Sequence, residues 1–172
     1  GEVNPPVKLI DFDHPENNSF IAINQFKIDT PGGTKTCIIP DIVLFVNGLP
    51  MVVVECKDLN DFSGDAMYEA YQQLKRYSDQ RTPDYKEGEE KLFFWNQFNI
   101  ITAGEEAKLG TISSSLKHFA FWKDIYPEEY QEFAPPLGKV RPQETLIQGV
   151  LPPPTLLNLI RHCILFMELD TG

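Results

Sequence analysis

Two apolar runs joined by a short turn occupy the middle of this sequence and restrict what it can fold into. Residues 36–47 (TCIIPDIVLFVN) and 50–57 (PMVVVECK) are rich in β-branched and aromatic residues, and Asn47-Gly48 lies between the two runs. Such runs favour β-strands, and Asn-Gly is a strong short-range signal for a hairpin. The sequence therefore predicts two adjacent antiparallel strands.

The second run ends in two charged residues, Glu55 and Lys57. Successive side chains of a strand point to opposite faces, so these two charges share one face and Cys56 points to the other. We expect Cys56 to be a buried free thiol that behaves as a small hydrophobe. Both strands are apolar on both faces, so Glu55 and Lys57 are expected where an unpaired charge would be costly.

The position of Asp41 depends on the turn. A two-residue loop at Asn47-Gly48 would place Asp41 opposite Val54 and turn it away from Glu55. A three-residue loop over residues 46–48, with a bulge at the glycine, would instead make Asp41 a diagonal neighbour of Glu55 on the same face. We predict the bulged loop.

Asp41, Glu55 and Lys57 would then form a constellation suited to phosphodiester hydrolysis. Mg²⁺ is usually held by one or two carboxylates together with water and phosphate oxygens, which suits Asp41 and Glu55. Lys57 would orient the nucleophile or stabilise charge developing on the phosphorus. The alternative is a salt bridge at the end of a sheet, which pairs the lysine but leaves one carboxylate without a cation. The residues alone leave both interpretations open.

A helix predicted over residues 64–77 (GDAMYEAYQQLKRY) adds polar groups. Positions four, three and four apart form one stripe, which contains Ala66, Ala70, Gln73 and Tyr77. The two alanines would let the helix approach the sheet, while Gln73 and Tyr77 would present polar ends beside it. The alternative for these two residues is a solvated helix face with a half-buried tyrosine.

These motifs resemble a known nuclease pattern. Pro40-Asp41, Glu55-Cys56-Lys57 and residues 73–77 resemble the PD-(D/E)xK pattern with the Q-x-x-x-Y element of its RecB-like branch. More narrowly, several runs look like the N-terminal endonuclease domain of the R (restriction and motor) subunit of type I restriction enzymes. The runs are NQF, PDIVLFVNGLPMVVVECK, AYQQLKRY, FFWNQFNIITAG and LLNLIRHCILFMELDTG.

The resemblance implies a restriction-endonuclease-like α/β fold, in which a mixed central sheet is flanked by helices. It implies that Asp41, Glu55 and Lys57 are catalytic, with Asp41 and Glu55 as ligands of Mg²⁺ or of Mn²⁺ as a substitute. It gives an accessory role to Gln73 and Tyr77.

The resemblance also implies partners and a division of labour. The substrate would be double-stranded DNA, cut in a complex with modification and specificity subunits after ATP-driven translocation. The sequence contains no G-x-x-x-x-G-K-[ST] loop, so ATP would be used only by a motor region outside this chain. Two alternatives stay open: a non-catalytic docking or regulatory module of the same subunit, and a repair or recombination nuclease of the same fold.

Charge and cysteine content bound these expectations. The chain has 25 acidic and 15 basic residues, a net charge of −10, which argues against tight autonomous DNA binding. The chain also opens with a poor helix former where members of this fold typically begin with a helix that carries another acidic residue, so we expect weak or no activity in isolation. Three cysteines and three histidines are scattered without the spacing of a zinc site or of disulfides. With no secretory leader or long apolar span, we expect a cytoplasmic protein that does not enter a membrane.

The remaining sequence predicts the order of elements. Residues 20–29 read as a first strand and residues 98–103 as a strand after the helix, which gives a β-β-β-α-β core. Residues 127–154 are proline-rich and read as a connector to a final helix over 155–168. We therefore assign 1–140 to the nuclease domain and 141–172 to a connector and helix leading into a motor domain. Glu106-Ala107-Lys108 has the same Glu-x-Lys pattern, but we exclude it as a catalytic triplet because we expect no buried strand before it.

Overall fold

A computed structural model describes residues 7–30, 37–60, 64–78, 88–125 and 141–165. Within these ranges one sheet has five strands, β1 (Phe20–Asn24), β4 (Ile42–Val46), β5 (Leu49–Lys57), β6 (Phe98–Ala103) and β7 (Glu106–Gly110), in that spatial order. A second sheet pairs β2 (Ile28–Asp29) with β3 (Cys37–Ile38). The α-helices are α1 (Ala66–Tyr77), α2 (Pro142–Val150) and α3 (Pro153–His162), and short 3₁₀ helices span Pro15–Asn17, Glu90–Phe93 and Leu116–His118.

The five-stranded sheet is mixed. Strands β1, β4 and β5 are antiparallel neighbours, β5 and β6 are parallel, and β7 returns antiparallel to β6. A parallel pair needs a crossover connection, and α1 lies in the segment that joins β5 to β6. The predicted restriction-endonuclease-like α/β architecture, with its β-β-β-α-β core, is confirmed.

The two faces of the sheet have separate hydrophobic cores. One face packs against α1, and its core includes Val43, Val53, Ala70, Leu74 and Ile101. The other face packs against α2 and α3, and its core includes Val52, Val54, Ile100, Leu146 and Leu157. Because strand side chains alternate, the face that carries Val53 is also the face of Glu55 and Lys57.

The turn between β4 and β5 differs from the prediction. Asn47 and Gly48 have φ angles of 50° and 82°, which is the backbone of a two-residue type I′ turn, and Val46 pairs directly with Leu49. The predicted three-residue loop with a bulge at Gly48 is therefore wrong. Asn-Gly satisfies both positive φ angles at low cost, so the shorter turn is favoured.

A bulge in β5, at Met51, offsets the effect of this turn and returns Asp41 to the face of Glu55. Met51 is an extra residue in β5, next to Pro50, which has no N–H for the ladder and is tolerated in sheets at such irregularities. The last pair of the ladder is Ile42 with Val54, so the next residue, Asp41, lies opposite Glu55 and not at the predicted diagonal position. The ladder pairs are Phe45 with Pro50, Leu44 with Val52, Val43 with Val53 and Ile42 with Val54.

Other elements also depart from the predictions. The strand predicted over 20–29 is broken at Gln25, whose φ is 51°, into β1 and β2. The Glu106-Ala107-Lys108 triplet lies in β7, directly after the buried strand β6, so the reason given for excluding it is wrong. Its Glu106 is nevertheless exposed at an outer strand of the sheet.

The proline-rich segment is not simply a connector. Residues 142–150 form α2, which begins with a proline at a position where its missing N–H removes no helical hydrogen bond. Helix α3 starts at Pro153 instead of residue 155, and the end predicted for it at 168 lies outside the described residues. Residues of both helices belong to the core of the second face, and the division at residue 140 stays a prediction. Among the described helices, none combines the length and the apolar character needed to cross a membrane.

The close approach of α1 to the sheet depends on a small residue, Ala70, which is 0% exposed. We expect Ala70→Leu to lower the free energy of unfolding by about 1–3 kcal/mol, because the added carbons would push helix and sheet apart. Urea unfolding measures this change. Tyr68→Leu, at an exposed position of the same helix, is the control and should stay within about 0.5 kcal/mol of wild type. Equal losses in the two variants would contradict this description of the helix packing.

Candidate active site

A buried ion pair lies at the end of β5, on the face covered by α1. The Glu55 side chain is 1% exposed, and Lys57 Nζ donates a hydrogen bond to Glu55 Oε1 at 2.7 Å. The second oxygen, Oε2, is also buried, and no group of the described residues donates a hydrogen bond to it. Leaving such an atom unsatisfied is costly, so Oε2 is free to accept a cation or a proton.

Helix α1 brings Gln73 and Tyr77 to the same place. Lys57 Nζ donates to Gln73 Oε1 at 2.6 Å, and Gln73 Nε2 donates to the Tyr77 hydroxyl at 2.7 Å. The Tyr77 hydroxyl in turn donates to the Ile39 carbonyl at 3.4 Å, and the Tyr77 side chain is buried. The ammonium group of Lys57 is thus held between a carboxylate on its own strand and an amide on the helix.

Asp41 lies just before β4 and is fixed through both of its carboxylate oxygens. Oδ1 accepts a hydrogen bond from Gln25 Nε2 at 3.0 Å, and Oδ2 accepts one from the Cys56 backbone N–H at 2.8 Å. A carboxylate oxygen has two lone pairs, so each oxygen keeps one lone pair for a further partner. The structure therefore brings Asp41, Glu55 and Lys57 to one end of the sheet, as the sequence predicts.

The electrostatics of the site centre on Glu55. Burial raises the pKa of Glu55 from 4.5 to about 7, because desolvation outweighs the opposing effect of Lys57, and the neighbouring Asp41 raises it further. Near neutral pH the Glu55 carboxyl group is therefore divided between protonated and ionised forms. A cation at this position would favour the ionised form.

The donor set fits a hard divalent ion. Within the described residues no group of three or more His, Cys, Asp and Glu side chains converges, so a cation would have the two carboxylates of Asp41 and Glu55 as protein ligands. Mg²⁺ commonly uses one or two carboxylates and completes its shell with water and phosphate oxygens. The buried oxygen Glu55 Oε2, to which none of the described residues donates, is the atom that such an ion would satisfy.

Cys56 was expected to point away from the charges and to be buried. It does point to the other face, where it borders an apolar cavity with Val54, Ile100 and Leu146, but its side chain is exposed. The expectation of burial is wrong, because the cavity that lies between Cys56 and residues Leu146 and Ile147 of α2 leaves its side chain accessible. An open pocket at this end of the sheet is lined by residues 56–60 and Gly104.

The raised pKa of Glu55 predicts a specific dependence of stability on pH. Glu55 ionises more easily in the unfolded chain, so its favourable contribution is complete below about pH 4.5 and is lost as the pH rises to about 7. Glu55→Gln removes this loss. The free energy of unfolding of Glu55→Gln, minus that of wild type at the same pH, should therefore rise by up to about 3 kcal/mol between pH 4.5 and pH 8.

Urea unfolding in the presence of EDTA measures this difference. Glu106→Gln is the matched control, because Glu106 belongs to the other Glu-x-Lys triplet and is exposed, so its difference from wild type should change far less with pH. Parallel pH curves for Glu55→Gln and wild type would contradict a raised pKa at Glu55.

Comparison with known proteins agrees with this geometry. The sequence profile of the family described as "Type I restriction enzyme R protein N terminus" matches residues 1–118. The chain is 37% identical over 166 residues to the type I restriction enzyme HindI endonuclease subunit of Haemophilus influenzae, covering 96% of the chain and 14% of that protein. It is 34% identical over 135 residues to the putative type I restriction enzyme MjaVIIIP endonuclease subunit of Methanocaldococcus jannaschii, covering 75% of the chain and 12% of that protein.

These relatives are therefore much longer than this chain, which spans 14% or less of the length of either one. The match to the family nevertheless includes Asp41, Glu55, Lys57, Gln73 and Tyr77 within its bounds. A profile that covers most of the chain and a relative that is 37% identical over nearly all of it establish the relationship. The chain belongs to the family of type I restriction enzyme R proteins and corresponds to their N-terminal region.

Proposed function

We propose that this chain is the divalent-metal-dependent endonuclease domain of a type I restriction enzyme R subunit and that it hydrolyses phosphodiester bonds of double-stranded DNA. The observation that carries the proposal is the buried Glu55 oxygen that has no hydrogen-bond donor among the described residues, beside a second carboxylate and a lysine. The buried Glu55 carboxylate is costly to leave with one oxygen unpaired beside a second, partly exposed carboxylate, and a cation between the two would remove that cost.

Each residue has a task in this proposal. Asp41 and Glu55 hold Mg²⁺, or Mn²⁺ in its place, and Gln73 and Tyr77 keep the Lys57 ammonium group in position. A bound ion of this kind lowers the pKa of a coordinated water and neutralises charge on the phosphate. Lys57 orients the attacking water or stabilises charge on the phosphoryl oxygens, since its Nζ has a third N–H beyond those given to Glu55 and Gln73.

The working enzyme in this proposal is a larger assembly. The net charge of −10 gives the chain little attraction for DNA, so the duplex is presented by other parts of the R subunit and by modification and specificity subunits. ATP is used by a motor region of the R subunit to translocate DNA before cleavage. The family relationship argues against the alternative of a repair or recombination nuclease.

The catalytic assignment predicts a separation of cleavage from translocation. In the R subunit assembled with its partner subunits, Asp41→Asn and Lys57→Met should lower the rate of double-strand cleavage at least about a hundredfold. ATP-driven translocation should continue, because neither residue contributes to ATP use. Cleavage of a circular plasmid and a strand-displacement assay measure the two activities.

The matched control is Asp58→Asn. It removes an exposed carboxylate that follows Lys57 in the chain and accepts hydrogen bonds from the backbone N–H and the side-chain amide of Asn60. It should cleave at the wild-type rate. Normal double-strand cleavage by Asp41→Asn or Lys57→Met would refute the catalytic role of that residue.

The accessory residues should give smaller losses. Gln73→Met removes the amide oxygen that accepts a hydrogen bond from Lys57. Tyr77→Phe removes the hydroxyl that accepts a hydrogen bond from the Gln73 amide. Because Lys57 itself remains, both variants should slow cleavage less than loss of Lys57 does. Tyr71→Phe is the control on the same helix, because its ring packs against Phe119 and not at the site. Unchanged cleavage in a Gln73→Met/Tyr77→Phe double variant would return both residues to a structural role.

A further inference from the structure

The backbone is irregular at Gln25, directly after β1. Gln25 has a φ of 51°, in the left-handed region that residues other than glycine seldom occupy. Its N–H donates to the Asp41 carbonyl at 2.8 Å, and the N–H of the next residue, Phe26, donates to the Pro40 carbonyl at 3.2 Å. In a regular antiparallel ladder successive N–H groups point to opposite sides, so two consecutive donors to one strand mark a local twist of the backbone, which occurs here without an extra residue in the pairing.

The positive φ of Gln25 places two consecutive side chains, those of Gln25 and Phe26, on the side of α1. The Phe26 ring meets the Phe45 ring edge-on at 5.2 Å and packs against the core below α1. Gln25 reaches toward the charges, where its Nε2 donates to Asp41 Oδ1 at 3.0 Å. Gln25 therefore holds Asp41 at two points, through the backbone carbonyl and through the carboxylate, while Phe26 anchors the twisted backbone in the core.

The kind of group that holds Asp41 matters. A lysine or arginine in the place of Gln25 would neutralise the carboxylate and compete with a cation for it. A neutral amide fixes the direction of the carboxylate and leaves its charge available. Strained backbone in a residue other than glycine is typical of sites where geometry serves function.

We propose that Gln25 is a positioning residue, which orients the Asp41 carboxylate for a divalent cation shared with Glu55. This inference rests on the proposed function, because it assigns Gln25 a task at the same metal site. Hydrogen-bond partners of ligating carboxylates contribute to metal affinity, and their loss typically weakens binding about 10–100-fold.

Two substitutions separate the amide from the backbone. Gln25→Met keeps a side chain of similar length and removes the donor. Gln25→Gly removes the donor and also relieves the positive φ, so the variant should unfold at a urea concentration no lower than wild type. Gln143→Met is the matched control, since Gln143 Nε2 donates to Thr102 Oγ1 at 3.1 Å, on the other face of the sheet.

Calorimetric titration of Mn²⁺ and of Mg²⁺ into the 172-residue chain, with and without a short DNA duplex, measures the affinity directly. Both Gln25 variants should bind Mn²⁺ at least about tenfold more weakly, whereas Gln143→Met should bind like wild type. Wild-type affinity in Gln25→Met, with binding lost in Asp41→Ala, would overturn the role of Gln25 and leave the proposed function standing. Absence of ion binding by wild type under both conditions, or undiminished binding by Asp41→Ala, would overturn the proposed function and this inference with it.

Discussion

The pairing of β4 with β5 fixes which groups meet at the end of the sheet. The turn at Asn47-Gly48 brings the strands together in one register, and the extra residue Met51 shifts that register by one position. A shift of one residue moves every later side chain to the opposite face. Without the extra residue Met51, Asp41 would face α2. With Met51, Asp41 lies opposite Glu55 on the side of α1. The carboxylate pair therefore depends on an irregularity of the backbone as much as on the two acidic residues.

Burial then gives the pair its chemical character. Helix α1 approaches the sheet through Ala66 and Ala70, which are 6% and 0% exposed, and excludes water from Glu55. A buried carboxylate is costly, and an ion pair compensates for the cost only when its remaining atoms also find partners. Lys57 satisfies one oxygen of Glu55 and leaves the other without a donor within the described structure. The same packing that stabilises the fold thus leaves the buried oxygen on which the proposed cation site depends.

Much of this arrangement could be predicted from local sequence patterns. The strands around Asp41 and Glu55, the helix over residues 66–77 and the strand over 98–103 follow from propensity and periodicity, and the stripe of Gln73 and Tyr77 follows from helical spacing. The position of the bulge does not follow, because Pro50 makes an irregularity tolerable without fixing where the extra residue lies. The positive φ of Gln25 accompanies a tertiary contact of Phe26 with Phe45, which no local pattern encodes.

The elements that were missed have a common cause. Strand β7 is short, and its residues have low strand propensity, so its pairing with β6 decides its conformation. Helix α2 lies in a proline-rich segment, and burial of Leu146 and Val150 against the second face of the sheet stabilises it. In both cases long-range packing outweighs local preference, as it also does at Gln25. Spacing within single elements predicted that Glu55 lies beside Lys57 and that Gln73 lies beside Tyr77, whereas the meeting of Asp41 with Glu55 depends on the extra residue Met51.

The central claim is that Asp41 and Glu55 together hold a divalent cation. Crystals of the chain soaked in Mn²⁺ and measured at a wavelength where manganese scatters anomalously test it most directly. The account predicts an anomalous peak between the two carboxylates, within bonding distance of Glu55 Oε2, that is absent from crystals of Asp41→Ala. No peak at this position, with Lys57 as the sole partner of Glu55 at saturating Mn²⁺, would contradict it.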